Sequence, residues 1–145
     1  LFPTLHHQQR DSVIPTAARR YDETASGLAS KEVVRIEFCG EVAAWQHLDS
    51  LAAAERLRGQ HVWRDEVIAQ RFAWGRTRDI FALAVRIFRL PEPVELPMQE
   101  SYGGCKSWVE LAVEVAVDGA QQVLTDAAFA AKRAKCESAL EPVAA

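Results

Sequence analysis

Ile80-Phe81-Ala82-Leu83-Ala84-Val85-Arg86-Ile87-Phe88-Arg89-Leu90, followed at once by Pro91, Pro93 and Pro97, is the stretch that decides the fold. Its apolar run falls short of the roughly 18 residues a membrane helix needs, and Arg86 and Arg89 interrupt it. Read as a strand, Phe81, Leu83, Val85 and Ile87 line one side of the pleat, with Ile80, Ala82, Ala84 and Phe88 on the other. A strand apolar on both faces belongs in the middle of a sheet, with its alanines where something packs closely. The prolines then force an extended, non-helical exit, because they fix φ and restrict the residue before them.

Working outward, Val33 to Cys39 alternates, with Val34, Ile36 and Phe38 on one face, which predicts a half-buried strand. Gly40 interrupts the pattern before Val42 and Ala44 resume it, and a bulge is expected there. Trp108 to Val117 alternates again through Val109, Leu111, Val113, Val115 and Val117, predicting a further strand that ends in an Asp118-Gly119 turn. Asp49 as cap, then Leu51, Ala54 and Leu57, then Gly59, spell a short helix. A second helix is expected from Asp65 to Trp74, closed by Gly75, and a third from a Thr125 cap to about Leu140. Residues 10–31, polar and small, read as a flexible loop with one short helix. No βαβ rhythm emerges. The expected fold class is α+β: a mixed, mainly antiparallel sheet of three to four strands with three short helices packed on it.

At 145 residues the chain fits a single domain, 1–145. With 49% hydrophobic and 26% charged residues it has an ordinary globular composition. A formal charge of −3 gives no overall field toward nucleic acid or acidic membranes, so any basic surface must be local. Cys39, Cys105 and Cys136 have no regular spacing, which argues against a disulfide framework and for a reducing compartment. No secretory pattern opens the chain, and a cytoplasmic location is expected. The first residue is Leu1, which reads as processing or as a missing N-terminal segment.

Three clusters carry the candidate chemistry. In Tyr102-Gly103-Gly104-Cys105-Lys106-Ser107-Trp108, a cysteine after two glycines and beside a lysine could act as a thiolate nucleophile, with His7 or His61 as its base. A tight turn with Cys105 as a small core residue is the plainer explanation. In His61-Val62-Trp63 with Arg71-Phe72, Arg71 falls where burial is expected, so it needs an acidic partner, a carbonyl or a bound anion. Arg86, inside the apolar strand, poses the same question. In Thr4-Leu5-His6-His7-Gln8, adjacent histidines without a third ligand do not make a metal site, while His7 and Gln8 could read a base edge or phosphate. Trp45, Trp63, Trp74 and Trp108 are either core, as expected for at least two of them, or a stacking platform for bases.

Together these motifs resemble the bacterial family DUF1802. The resemblance runs from Phe2-Pro3-Thr4 with His7-Gln8, through His61-Val62-Trp63, Arg71-Phe72 and Val85-Arg86-Ile87-Phe88-Arg89-Leu90, to Tyr102-Gly103-Gly104-Cys105-Lys106-Ser107-Trp108. It continues through Val123-Leu124, Asp126 and Phe129. The resemblance implies a further N-terminal segment with a Leu-Arg-Lys-Gly-Gly type turn, which this sequence is expected to lack, and Arg64 stands where a serine or threonine cap is expected. The resemblance implies a bacterial cytoplasmic protein and, through neighbouring restriction-endonuclease-like domains, a connection with restriction or defence.

The leading functional expectation is a non-catalytic module for nucleic acid or a nucleotide-like, phosphate-bearing ligand. Its residues would be Thr4, His7, Gln8, His61, Trp63, Arg71, Arg86, Tyr102, Ser107 and Trp108, converging on one concave, positive surface. No metal, cofactor or membrane partner is expected. The alternatives are a structural or protein-interaction domain, and a Cys105-dependent enzyme.

Overall fold

The structure, a computed structural model, describes residues 1, 9–27, 32–103 and 109–141. Its frame is a long antiparallel pair, β1 (Val33–Leu48) and β2 (Ile80–Pro97). Between them run α2 (Leu51–Glu55) and α3 (Asp65–Phe72), after α1 (Ala18–Gly27) and before β3 (Gln121–Gln122) and α4 (Asp126–Leu140). The sheet order is β1-β2-β3, so the α+β class holds and β2 is the inner strand.

The register shows how the prolines fit. Between the pairs Phe38–Arg89 and Ile36–Val94, β1 advances two residues and β2 five. Leu90, Pro91, Glu92 and Pro93 are thus set out of the ladder, where a residue lacking an N–H breaks no pairing. The strand therefore passes beyond Leu90 to Pro97. A second shift places Ala43 as the extra residue between Val42–Val85 and Ala44–Ala84. The bulge expected at Gly40 is not there. Gly40 pairs regularly with Ile87, and its missing side chain admits a neighbour: a Cβ would lie 2.9 Å from Val85 Cγ1.

Two other expectations are corrected. Residues 109–117 form no strand. Val109, Leu111 and Val115 pack on the cluster of Val34, Ile36, Leu90, Leu96 and Tyr102, while the Ala112 N–H donates to Tyr102 Oη (2.9 Å) instead of a ladder. Among the described residues the free edge of β2 is met by Gln121 and Gln122, with the Val123 N–H donating to Ile87 O at 3.1 Å. Residues 10–27 are mostly helical rather than loop, with α1 tied back by Arg10 to Asp22 (2.9 Å).

Helix punctuation was better foreseen. Gly59 and Gly75 take φ of +80° and +96° just after α2 and α3, the left-handed region that favours glycine. The cap of α2 is Ser50 rather than Asp49. Thr125 caps α4, its hydroxyl accepting from the Ala128 N–H at 3.2 Å. Arg64 at the start of α3 has a different task. Its Nε donates to Val13 O (2.9 Å) and its N–H to Ser12 O, beside the Val13–Trp63 bridge. It anchors the helix to the N-terminal segment instead of capping it.

Two apolar clusters result, at opposite ends of the β1–β2 pair. One gathers around Leu90 and Tyr102, the other around Leu48, Ala54, Ile68 and Leu140. The middle of the sheet lies between them, with α4 against one face. Among the described residues no helix is long and apolar enough to cross a membrane.

Candidate functional site

Cross-strand pairing puts Trp45 opposite Leu83 and His47 opposite Phe81, all on the sheet face away from α4. That face is open: Trp45 is 66% and Phe81 60% exposed, with Leu83 and Val42 also exposed. The strand expected to be covered on both faces is covered on one. The rings form a ladder, Phe81 lying 5.9 Å from Trp45 and 5.0 Å from His47 between centroids. Tilted aromatic contacts of this kind hold their members without any roof. No acidic side chain shares this face among the paired residues from Phe38 to His47 and from Phe81 to Arg89.

One edge of the ladder is fixed by hydrogen bonds. His47 Nε2 lies 3.0 Å from Asp79 Oδ2, and the Thr77 hydroxyl donates to the other oxygen of that carboxylate. The hydrogen bond with His47, and then that from Thr77, hold the Asp79 carboxyl below the usual carboxylate range.

Asp79 closes the exposed turn Ala73-Trp74-Gly75-Arg76-Thr77-Arg78. Trp74 is 82% exposed, and Arg76 and Arg78 have no carboxylate partner among the described residues. Arg78 adjoins the residue that holds His47, so a basic, aromatic turn leads directly into the ladder.

The residues singled out from sequence are distributed otherwise. His61 and Trp63 share a wall of an apolar cleft of about 420 Å³ beneath α4. The Trp63 N–H donates to His61 Nδ1 (3.2 Å), so Nε2 carries the proton of the neutral ring. Arg71 joins them, but not as a buried ion. It is exposed and its guanidinium lies 5.4 Å above the Trp63 ring. The short helix buries Ile68 and Phe72, and Arg71, a turn-edge neighbour of both, reaches outward.

Arg86 sits elsewhere along the same sheet face. Its side chain is 19% exposed, lies near the rings of Phe129 (5.0 Å) and Phe88 (5.8 Å), and meets Asp126 Oδ1 at 2.5 Å. Its Nε is buried without a partner. Tyr102, 4% exposed, is a core residue whose hydroxyl is engaged by Ala112. Thr4, His7, Gln8, Cys105, Ser107 and Trp108 lie outside the described residues.

The expected convergence on one positive surface is therefore not found among the described candidates. His61, Trp63 and Arg71 come together, while Arg86 and Tyr102 lie apart from them. The tryptophan expectation is also corrected, since Trp45 and Trp74 are exposed and Trp63 only half-buried. What sequence reasoning missed is the Trp45–His47–Phe81 ladder and Arg76 with Arg78. The ladder left no signal in the apolar pattern, whereas Arg76 and Arg78 were legible as two arginines in the short turn between Gly75 and Asp79.

Among the described residues no group of three or more His, Cys, Asp or Glu gathers that could hold a metal ion. Neither curated proteins nor solved structures provide a significant match. The family described as a domain of unknown function, DUF1802, matches residues 1–135, nearly the whole chain. The chain belongs to the DUF1802 family.

Proposed function

We propose that this protein is a non-catalytic module that binds single-stranded nucleic acid across the open face of β1 and β2. The observation that carries the reading is the exposed Trp45–Phe81–His47 ladder, with no acidic residue on its face among the paired residues from Phe38 to His47 and from Phe81 to Arg89. Bases stack on such rings whatever their sequence, each contact being worth roughly 1–3 kcal/mol. Phosphates need cations at the edge of the platform, and Arg76 and Arg78 supply them from the turn that ends at Asp79. A net charge of −3 makes attraction local to that turn, which suits weak, sequence-tolerant capture. A bacterial cytoplasmic setting and a connection with restriction or defence go with this reading.

The test is fluorescence anisotropy with labelled 12-mer single strands and the matching duplex. Binding of the single strand, weakened at least tenfold by Trp45→Ala or Phe81→Ala, is expected. Equal binding of duplex and single strand, or a Trp45→Ala protein that binds unchanged, defeats it. A protein that binds neither but self-associates through this face would belong to the interaction-domain class instead.

A further inference from the structure

On the opposite face of the sheet, α4 bridges a trough rather than lying flat. It is tied at both ends by arginines. Arg86 meets Asp126 in the first turn, and Arg56 donates through Nε to Ala139 O (2.8 Å) near the last. Between these ties Ala44, Ala82 and Ala84 lie in the floor beside Gln46, Leu48 and Ile80, and the three small side chains leave a chamber of about 420 Å³. Its end wall is the Trp63–His61 pair. This volume lies in the range of roughly 300–1,000 Å³ typical of small-molecule sites, and its lining is mainly apolar with a few polar groups.

A second, polar cleft of about 530 Å³ shares Arg133 and Glu137 with the chamber and forms its mouth. The ionisable groups of the mouth are Glu41, Arg86, Asp126, Arg133 and Glu137. Arg86 meets Asp126 through Nη2 while its buried Nε has no partner, and Arg133 meets Glu137 at 2.6 Å. Glu41 alone makes no hydrogen bond or ion pair among the described residues. Three carboxylates against two guanidiniums leave the mouth one negative charge in excess. Glu41 is exposed and hydrated, and the excess charge opposes an anion and favours a cation beside it.

We infer that this trough binds a small aromatic cation, its rings in the chamber against Trp63 and its ammonium group at the mouth beside Glu41. The site takes the α4 face of the sheet and does not depend on nucleic-acid binding, although Trp45 and Phe81 also reach its lining.

The experiment is isothermal titration calorimetry with three probes of one shape: 1-naphthylmethylammonium, 1-naphthalenemethanol and 1-naphthylacetate. The ammonium probe should bind saturably at one site, roughly three- to tenfold tighter than the alcohol, with the acetate weakest. Glu41→Gln should erase the advantage of the ammonium while leaving the alcohol unchanged. Ala84→Leu should abolish binding of all three, with Ala44→Leu serving if circular dichroism shows the first variant unfolded. Arg76→Ala/Arg78→Ala, outside the lining of the chamber, should change nothing, which separates this site from nucleic-acid binding. Absence of saturable binding, preference for the acetate, or an ammonium advantage that survives Glu41→Gln overturns the inference.

Discussion

Arg86 of β2 and Asp126 of α4, 40 residues apart in the chain, meet at 2.5 Å and fix the start of the last helix to the middle of the sheet. The guanidinium is mostly buried against Phe129, whereas the carboxylate stands in solvent. Removing one partner of such a pair is therefore unequal. Asp126→Ala strands a half-buried cation and should cost roughly 1–2 kcal/mol, below the full value of a buried charged bond because Asp126 is hydrated. Replacing both, Arg86→Met with Asp126→Ala, should recover most of that loss. Urea midpoints of the three variants decide it, and a double variant no better than Asp126→Ala contradicts the geometry.

The Thr125 cap is the other fastening of α4. Thr125→Ala leaves the Ala128 N–H without its acceptor and should cost about 1 kcal/mol, while Thr125→Ser should be nearly neutral. Thermal unfolding of both variants, followed by circular dichroism, measures the difference.

Much of this framework could be read in advance, and where reading failed the reasons are physical. The strand at Ile80, the Thr125 helix and the glycines after α2 and α3 follow from local rules that tertiary contacts did not override. The strand expected at Trp108 to Val117 did not form because alternation records only which residues face the core. Val109, Leu111 and Val115 reach the core from an irregular segment whose Ala112 N–H is taken by Tyr102. Arg71 was misplaced because an eight-residue helix lets an edge arginine leave its apolar stripe. The ladder was hidden for the opposite reason: a strand apolar on both sides looks buried on both, and nothing in the pattern says that Trp45 and Phe81 lack a roof.

Gly40 tests the close approach of the two strands. Gly40→Ala would press a methyl group on Val85 Cγ1 and should destabilise by about 1 kcal/mol. Val85→Ala in the same chain should cancel the clash, so a double-mutant cycle should give a favourable coupling. Strict additivity would contradict the contact.

The His47–Asp79 contact has a pH signature. Because Asp79 titrates below the ordinary carboxylate range when folded, its contribution is present above that range and lost as pH falls through the folded value. The stability of the native chain should thus decline more steeply under acid than that of Asp79→Asn. Carboxyl titration by NMR should find Asp79 below the ordinary aspartate value in the native chain and nearer it in His47→Ala. An Asp79 midpoint unmoved by His47→Ala contradicts the pairing.

The most direct test of the central claim is the salt dependence of single-strand binding, compared between the native chain and Arg76→Ala/Arg78→Ala. If these two guanidiniums neutralise phosphates beside the aromatic ladder, removing both should flatten the slope of log K against log salt by about 1.4, at 0.7 for each lost contact. An unchanged slope, or no binding to single strands even at low salt, would contradict the account.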